Sequence, residues 1–275
     1  MNPRVYRENR VPLTLPRAQT ARSVVVVGGG PAGLKAALTA AQRGHQVTLV
    51  EQSGALGGLM IPASVGAFKE DLRRYLSYLR RQVEKSQIHV MLHTRADRAL
   101  LEHLHPDAVI LAVGGRAVMP PVPGLGTSGA VQAVALLNAG LETAGTRVTI
   151  LGGGSIGCEL ALELAALDRM VTVVELRDKL AANGNELYRQ DLMLHLEQET
   201  RITILTQTVC TGVTAQGCTV REKDGGTRVI PHDTFVIAAG LRADADAVEA
   251  LYGVVPETYY VGDCKRAASI TEATT

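Results

Sequence analysis

Short apolar runs alternate with stretches of helical periodicity along most of the chain. Residues 23–27 (SVVVV) and 46–51 (QVTLVE) are rich in β-branched residues, and residues 36–42 between them have the small-residue composition of a packed helix. An apolar run of this length, bounded by turn residues, predicts a strand that is buried on both faces. Strands that alternate with helices predict parallel sheets with crossover helices, so the sequence predicts an α/β fold. Further runs of the same kind lie at residues 88–93, 108–115, 147–154, 170–175, 202–209 and 234–240.

Residues 68–85 (FKEDLRRYLSYLRRQVEK) carry the clearest helical periodicity, and other helical stretches lie at residues 131–141 and 186–199. The apolar positions of residues 68–85 fall on one helical face, which predicts packing against a core. The arginines fall largely on the other face, which favours a solvated surface over a docking patch for an acidic partner. The apolar face carries Leu72, Tyr75, Leu76, Leu79 and Val83, and the opposite face carries Arg73, Arg74, Arg80 and Arg81.

Three segments depart from the alternating pattern. Residues 1–22 contain five arginines and three prolines without periodicity, which indicates a linker or arm. Residues 118–124 (VMPPVPG) are rich in proline and predict a crossing between two lobes. Residues 218–233 contain two extended segments on either side of a turn sequence at residues 224–226 (DGG), which predicts a β-hairpin.

The composition is that of a globular chain, with 46% hydrophobic and 20% charged residues and a net charge of +1. This charge gives no reason to expect nucleic acid or a membrane surface as a partner, and the apolar runs are far shorter than the roughly 18 residues of a membrane span. The charged N-terminus and the four scattered cysteines, with no CxxC pair, favour the cytoplasm. His89 and His93 could share one strand face, but a zinc site needs further ligands that their surroundings lack, so no metal is expected.

One glycine-rich phrase occurs twice, 124 positions apart: VVVVGGGPAGLKAAL at residues 24–38 and VTILGGGSIGCELAL at residues 148–162. Each copy follows a predicted strand and opens a predicted helix. In such a phrase the first glycine allows a tight turn, the second leaves room for a pyrophosphate, and the third lets helix and strand pack closely. The backbone N–H groups and the dipole at the helix start bind the phosphate without a basic side chain. The glycines are Gly28, Gly30 and Gly33 in the first copy and Gly152, Gly154 and Gly157 in the second.

An acidic residue ends the strand that follows each phrase. Glu51 and Glu175 each lie 18 residues after the third glycine of their copy, where a carboxylate can accept hydrogen bonds from ribose hydroxyls. Ala37 and Ala161 share one position in the two helices, where a small side chain lets the helix lie against the sheet. The repeat therefore predicts two dinucleotide sites rather than two turns that serve packing alone. Glu175 favours NADH over NADPH, although Arg177 could counter that preference.

With these motifs the chain resembles the pyridine nucleotide-disulphide oxidoreductase superfamily of flavoproteins. Residues 107–124 and 233–244 resemble the paired connecting motifs of that superfamily, and residues 259–264 (YYVGDC) resemble its second flavin motif. The resemblance implies two Rossmann-like domains, the NAD(P) domain being inserted into the FAD domain. The expected arrangement is a linker or arm at 1–22, an FAD-binding domain at 23–120 and 234–275, and an NAD(P)H-binding domain at 121–233.

The resemblance also implies which residues contact each cofactor. Asp263 would accept a hydrogen bond from a ribityl hydroxyl, and Glu51 would bind the adenosine ribose of FAD. No catalytic acid, base or nucleophile is expected, because a hydride passes from the nicotinamide to the flavin. The expected FAD contacts are Gly28, Gly30, Pro31, Ala32, Gly33, Glu51, Gln52, Gly58, Ala96, Ala112, Gly114, Gly262 and Asp263, and those of NAD(P)H are Gly152, Gly154, Ser155, Ile156, Gly157, Glu175 and Gly240.

Three residues beside these motifs favour structural roles. Cys158 and Cys264 could be redox thiols, but buried packing is the better interpretation of single small apolar side chains. Asp168 stands where the first copy has Gly44, at a helix end. An aspartate tolerates left-handed backbone better than most residues, so we expect that conformation there.

Within the superfamily, the nearer resemblance is to the C-terminal module of the NADH:flavin oxidoreductases that include 2-enoate reductase, 2,4-dienoyl-CoA reductase and trimethylamine dehydrogenase. Residues 51–60 (EQSGALGGLM), 68–85 and 259–264 carry it, and residues 2–8 (NPRVYRE) resemble its entry segment. It implies electron transfer to an iron–sulphur/FMN barrel domain or subunit that reduces an activated C=C bond. Two alternatives stay open: a structural module that binds ADP without turnover, and a stand-alone NADH:ferredoxin-type reductase.

The barrel and the iron–sulphur cysteine cluster of those enzymes have no counterpart in this sequence. The C-terminal residues 268–275 (ASITEATT) resemble the first turns of a helix whose start faces the flavin pyrophosphate in the relatives. We therefore expect a fragment or one piece of a split enzyme, with a weakened affinity for FAD. The sequence does not indicate an oligomeric state.

Overall fold

The structure, a computed structural model, describes residues 15–182 and 184–274. These residues fold into two compact units. Unit 1 comprises the described residues up to Ser64, residues Lys69–Arg116 and the described residues from Leu241 onward. Unit 2 comprises Val65–Phe68 and the described part of Ala117–Gly240.

Strands and helices alternate along both units. The strands are β1 (Ser23–Val27), β2 (Gln46–Val50), β3 (His89–Met91), β4 (Ala108–Leu111), β5 (Gly115–Ala117), β6 (Val131–Gln132), β7 (Arg147–Leu151), β8 (Met170–Val174), β9 (Ile202–Leu205), β10 (Val209–Val213), β11 (Gly217–Arg221), β12 (Thr227–Pro231), β13 (Thr234–Ile237), β14 (Leu241–Ala243) and β15 (Glu257–Tyr260). The helices are α1 (Pro31–Gln42), α2 (Met60–Ala63), α3 (Glu70–Glu84), α4 (Arg98–Leu104), α5 (Ala133–Ala139), α6 (Ser155–Ala166), α7 (Glu186–Gln198), α8 (Ala245–Leu251) and α9 (Ile270–Thr274).

Unit 1 is built on a parallel sheet in the order β15-β4-β1-β2-β3. Successive residues of β1 point to opposite faces of this sheet. Val24 and Val26 enter a core beneath α1 and α3, and Val25 and Val27 enter a second core that contains Leu101 of α4. Because apolar side chains cover both faces, β1 is a continuous apolar run rather than an alternating one.

Unit 2 repeats this arrangement with a parallel sheet in the order β6-β13-β7-β8-β9. On one face Val148 and Ile150 pack in a core with α6. The other face is covered differently, because Leu151 packs against a cluster that includes Cys218 and Val220 of β11. Strands β10, β11 and β12 form an antiparallel sheet, so the hairpin predicted around residues 224–226 is confirmed. The prediction of an α/β fold with parallel sheets is confirmed as well.

The chain leaves unit 1 within β5 and returns at the start of β14, which pairs with β5. The sequence assigned residues from 234 onward to the first domain. In the structure, however, β13 lies between β6 and β7 in the sheet of unit 2. Its hydrogen bonds to β7 hold residues 234–237 in that sheet, so the chain returns at Leu241.

Several local expectations have different outcomes. Residues 131–141 form strand β6 and helix α5 rather than one helix. His93 does not share a strand face with His89, because β3 ends at Met91 and His93 has a positive φ of 52°. Asp168 has a φ of 61°, which confirms the left-handed conformation expected there. Among the described helices, none has the length and apolar character needed to span a bilayer.

Candidate dinucleotide-binding sites

The loop between β1 and α1 contains two glycines that backbone packing requires. Gly28 has a φ of +106°, and a Cβ atom added to it would lie 2.3 Å from the carbonyl oxygen of Ala112. A Cβ added to Gly33 would lie 1.8 Å from the carbonyl oxygen of Gly28. Neither distance leaves room for a side chain, so these two glycines let α1 start directly against the ends of β1 and β4.

Gly30, between them, is in a different environment. Its φ of −72° and ψ of −179° are open to any residue. A Cβ added to it would meet nothing nearer than the Cα of Gly58, at 4.0 Å. Helix α1 starts immediately afterwards with Pro31, and no side chain caps it. Folding alone therefore does not require glycine here, whereas a diphosphate that approaches the backbone at the positive end of the helix dipole would.

The loop between β7 and α6 reproduces this geometry 124 residues later. Gly152 has a φ of +114°, and its added Cβ would lie 2.4 Å from the carbonyl oxygen of Ala238. The added Cβ of Gly157 would lie 2.0 Å from the carbonyl oxygen of Gly152. Gly154, in contrast, has open space around it, and α6 has no side-chain cap. Both loops thus have one glycine whose backbone a ligand can approach.

The two acidic residues hold these loops to the strand that follows. Glu51 accepts hydrogen bonds from the N–H groups of Gly29 at 2.6 Å and Ser53 at 2.7 Å. Glu175 accepts them from Gly153 at 2.6 Å and Arg177 at 2.8 Å. Each carboxylate therefore has one backbone donor on each oxygen. An ionised carboxylate has about four lone-pair sites, so capacity for ribose hydroxyls remains beside this structural role.

A second loop lies against each glycine phrase. In unit 1 it belongs to residues 51–60, which the sequence analysis singled out, whereas its counterpart in unit 2 was missed. The N–H of Gly57 donates to the carbonyl oxygen of Gly29 at 2.7 Å, and the N–H of Ala181 donates to that of Gly153 at 2.8 Å. The paired residues are again 124 positions apart. For the loop in unit 2, the signal in the sequence was this constant offset from the loop in unit 1.

One arginine in each unit supports that second loop. The Nε of Arg80 donates to the carbonyl oxygen of Leu56 at 2.7 Å, and the Nε of Arg189 donates to that of Leu180 at 2.9 Å. The expectation of a solvated arginine face on α3 was therefore wrong for Arg80, which is partly buried in this contact. A charged hydrogen bond of this kind fixes a carbonyl group that an uncharged neighbour would hold less firmly.

The predicted flavin motif lies at the start of α1. Gly262 has a φ of +70°, and its added Cβ would lie 2.6 Å from the Cβ of Ala32. Asp263 is half-buried, and its carboxylate accepts a hydrogen bond from the N–H of Ala268 at 3.2 Å. Burial raises the pKa of Asp263 above its ordinary value. The added Cβ of Gly115 would lie 3.5 Å from the Cβ of Asp263. Unit 1 therefore brings the glycine phrase and the flavin motif together.

The remaining predicted residues surround these two loops or lie beyond them. Gly114 and Gly240 follow β4 and β13, have φ angles of +76° and +95°, and have open space around them. Gly58 lies under Gly30, and Gln52 is exposed after Glu51. Ser155 and Ile156 form the first turn of α6 in unit 2, whereas Ala96 packs in the core of unit 1 beside α4.

The cysteines beside the motifs are packing residues, as expected. Cys158 is fully buried, and its thiol donates to the carbonyl oxygen of Gly153 at 3.3 Å. Burial raises its pKa to about 12, which keeps the thiol protonated near neutral pH. Cys264 is buried too, and burial raises its pKa. Across residues 15–182 and 184–274, no three His, Cys, Asp or Glu side chains are grouped as a metal site would require.

Comparisons with known proteins agree with this geometry. The family model described as pyridine nucleotide-disulphide oxidoreductase matches residues 22–263. The chain is 34% identical over 261 residues to the bilirubin reductase of Mediterraneibacter gnavus, with 94% of this chain and 40% of the relative covered. It is 29% identical over 275 residues to the cinnamate reductase of Clostridium sporogenes, with 99% of this chain and 40% of the relative covered.

A solved structure of 2-naphthoyl-CoA reductase, in complex with 2-naphthoyl-CoA, superimposes with a TM-score of 0.93 at 26% sequence identity. The superposition covers 99% of this chain and 41% of that chain. The chain thus spans about two fifths of the length of each of these three relatives.

Proposed function

We propose a function from one premise: the chain belongs to the pyridine nucleotide-disulphide oxidoreductase family, whose members use FAD and NAD(P)H. In this proposal it is the FAD- and NAD(P)H-binding module of a larger flavoenzyme related to the alkene reductases. The observation that carries the proposal is the second glycine of each phrase, which has an open environment although its neighbours are tightly packed. Selection for packing alone would not favour glycine at both of those positions.

Unit 1 is the proposed FAD site. Gly30 receives the diphosphate, Glu51 binds the adenosine ribose, and Asp263 accepts a hydrogen bond from a ribityl hydroxyl. Support comes from the position of Gly262, whose φ of +70° brings this motif against Ala32 in the first turn of α1. The half-buried carboxylate of Asp263 accepts a hydrogen bond from the N–H of Ala268, and a bound hydroxyl would offset part of the cost of its burial.

Unit 2 is the proposed NAD(P)H site, with Gly154 at the diphosphate and Glu175 at the adenosine ribose. We expect NADH to bind more tightly than NADPH, because the carboxylate of Glu175 would repel a 2′-phosphate. Its position is fixed by the N–H groups of Gly153 and Arg177, so it cannot easily turn away. The exposed side chain of Arg177 could pair with a 2′-phosphate, so we expect NADPH to bind as well, but more weakly than NADH.

The chemistry that the two cofactors supply when bound is transfer of a hydride from the nicotinamide to the flavin. The chain itself binds and orients the two dinucleotides, and no side chain is assigned a role as acid, base or nucleophile. The electrons would then pass to an iron–sulphur/FMN barrel domain or subunit that reduces an enoate-type C=C bond. This last step is supported by the names of the relatives, which include a cinnamate reductase, and by their greater length.

The proposal is tested by the colour of the purified protein under anaerobic conditions. After incubation with FAD and removal of the free flavin, the protein should be yellow, and one equivalent of NADH should bleach it. A colourless protein that binds ADP would contradict the proposal and favour the structural nucleotide-binding module. Bleached protein that is reoxidised by ferredoxin but not by a barrel subunit of a related reductase would contradict the assigned electron acceptor and favour the stand-alone reductase.

A further inference from the structure

We propose that Cys210 and Cys218 form a redox modification site, in which hydrogen peroxide converts the two thiols into a cross-strand disulfide. The two cysteines lie on the adjacent antiparallel strands β10 and β11 of unit 2. Cys218 is paired with Val213, and Cys210 is paired with Val220. The register shifts between Cys210 and Gly212, so a bulge lies beside Cys210. A bulge increases the local twist of a strand, which changes the distance between diagonal neighbours.

The side chains of the two cysteines meet in one place. Both belong to the apolar cluster between the sheets of unit 2, together with Val213 and Val220. Their thiols are hydrogen-bonded to each other, with Cys218 as the donor. Cys210 in turn donates to the carbonyl oxygen of Gly212 at 3.7 Å. A cross-strand disulfide requires two cysteines on adjacent strands whose side chains lie on the same side of the sheet, and these two cysteines meet that requirement.

The environment makes the two thiols unequal. Because Cys218 donates to it, the pKa of Cys210 is below the ordinary value of a thiol. The pKa of Cys218 is raised by the same hydrogen bond and by burial. Cys158 and Cys264 have raised pKa values as a result of burial. The thiolate is the reactive form, so Cys210 is the expected nucleophile among the four cysteines.

Access also favours Cys210. It lies on β10, an edge strand of the three-stranded sheet, whereas Cys218 lies on the central strand β11. Cys210 is 8% exposed and Cys218 is 0% exposed. Edge strands open locally at lower free energy than central strands, so a small oxidant reaches Cys210 first.

The chemical steps balance with hydrogen peroxide as the sole oxidant. The sulfur of Cys210 attacks one peroxide oxygen and the O–O bond breaks, which gives a sulfenic acid and a hydroxide that takes the thiol proton to become water. The sulfur of Cys218 then attacks that of Cys210 and the S–O bond breaks. The departing hydroxide takes the proton of Cys218 to form a second water. Two thiols lose two electrons, and one peroxide becomes two waters.

The sequence provides a direct assay. Neither lysine nor arginine lies between the two cysteines, so trypsin leaves both in one peptide, Ile202–Arg221. The folded protein is treated with hydrogen peroxide and then denatured in the presence of iodoacetamide, which alkylates free thiols. It is then digested with trypsin and analysed by mass spectrometry. We expect this peptide to lack both alkyl groups and to be lighter than the dithiol form by two hydrogen masses. Dithiothreitol should restore both alkylation sites. In the same sample Cys158 and Cys264 should remain alkylated.

Three other outcomes would overturn the proposal. The peptide could stay fully alkylated at every peroxide concentration, or gain oxygen atoms without losing two hydrogens. Cys158 or Cys264 could also be oxidised as readily as the pair. A Cys210→Ser variant should keep one alkylation site at Cys218 after the same treatment. The decisive measurement uses the unmodified protein, so it stands even if that variant does not fold.

Discussion

Gly30→Ala and Gly154→Ala are the variants that most clearly separate folding from cofactor binding. At both positions the backbone φ is near −70°, and a methyl group would contact no protein atom closer than 4.0 Å. The variants should therefore fold normally. Each methyl group would instead occupy the space through which a diphosphate reaches the backbone N–H groups of the helix start.

The two substitutions should change the stability of the protein little and its cofactor affinity strongly. Replacing glycine by alanine stabilises a compatible position by about 0.4–1 kcal/mol through the unfolded chain. Alanine is a poorer helix N-cap than glycine, and the opposing cost is about the same size. Stability should therefore change by less than about 1 kcal/mol, or about 2–4 °C in melting temperature. Loss of one or two charged hydrogen bonds costs about 3 kcal/mol, which corresponds to roughly a 100-fold weaker affinity.

The assay is a pair of titrations together with thermal unfolding of the protein without cofactors. Gly30→Ala should lose affinity for FAD but not for NADH, and Gly154→Ala should lose affinity for NADH but not for FAD. Gly33→Ala is the contrasting control, because its methyl group would lie 1.8 Å from the Gly28 carbonyl oxygen and should disrupt folding itself. Wild-type FAD affinity in a folded Gly30→Ala protein would refute the reasoning.

Three further predictions concern other positions in the two units. Arg80→Ala removes the donor to the Leu56 carbonyl oxygen and should weaken FAD binding about tenfold in a fluorescence titration. Arg81→Ala, at an exposed position of the same helix, should leave FAD binding unchanged. Equal effects of the two substitutions would refute a positioning role for Arg80. Glu175→Gln should lower the affinity for NADH by about tenfold or more in equilibrium titrations, and should reduce the ratio of NADH affinity to NADPH affinity. An unchanged ratio of the two affinities would contradict the assignment of Glu175 to the ribose. Burial lowers the pKa of His232, so the unfolded chain takes up its proton first and the unfolding free energy should fall as pH drops below about 6.5. In urea titrations at about pH 7.5 and about pH 5.5, His232→Gln should reduce that loss, and an unchanged loss would disprove the linkage.

The glycine phrases could be predicted from the sequence because each is a local pattern with a constant spacing. The contact between Gly33 and the carbonyl oxygen of Gly28 lies within a single turn, so the spacing of these two glycines indicates that geometry. Glu51 and Glu175 are also placed by a constant spacing, 18 residues after the third glycine of their copy. Their second hydrogen-bonding function, to Gly29 and its counterpart Gly153, follows from the fold and not from the spacing.

Contacts between distant segments could not be predicted in the same way. Arg80 follows Leu56 by 24 residues, whereas Arg189 follows Leu180 by 9, so their common contact has no common spacing. The arginines are equivalent only in three dimensions, because the segments that lead into α3 and α7 differ in length. The position of β13 was missed for a similar reason, since its pairing with β6 and β7 assigns it to unit 2.

The contact between Cys210 and Cys218 is another product of the fold. Their spacing of eight residues matches no redox motif. The pairing of β10 with β11 and the shared apolar cluster place the two side chains on the same side of the sheet. Sequence reasoning that looked only for CxxC pairs therefore treated these two cysteines as scattered.

The most direct test of the account is the number and kind of dinucleotides that one chain holds at the same time. Native mass spectrometry of the protein, incubated anaerobically with FAD and NADH, measures both. The account predicts one flavin dinucleotide and one pyridine nucleotide bound together on each chain. A single bound dinucleotide of either kind, or displacement of one by the other, would contradict the claim that the repeated glycine phrase forms two separate sites.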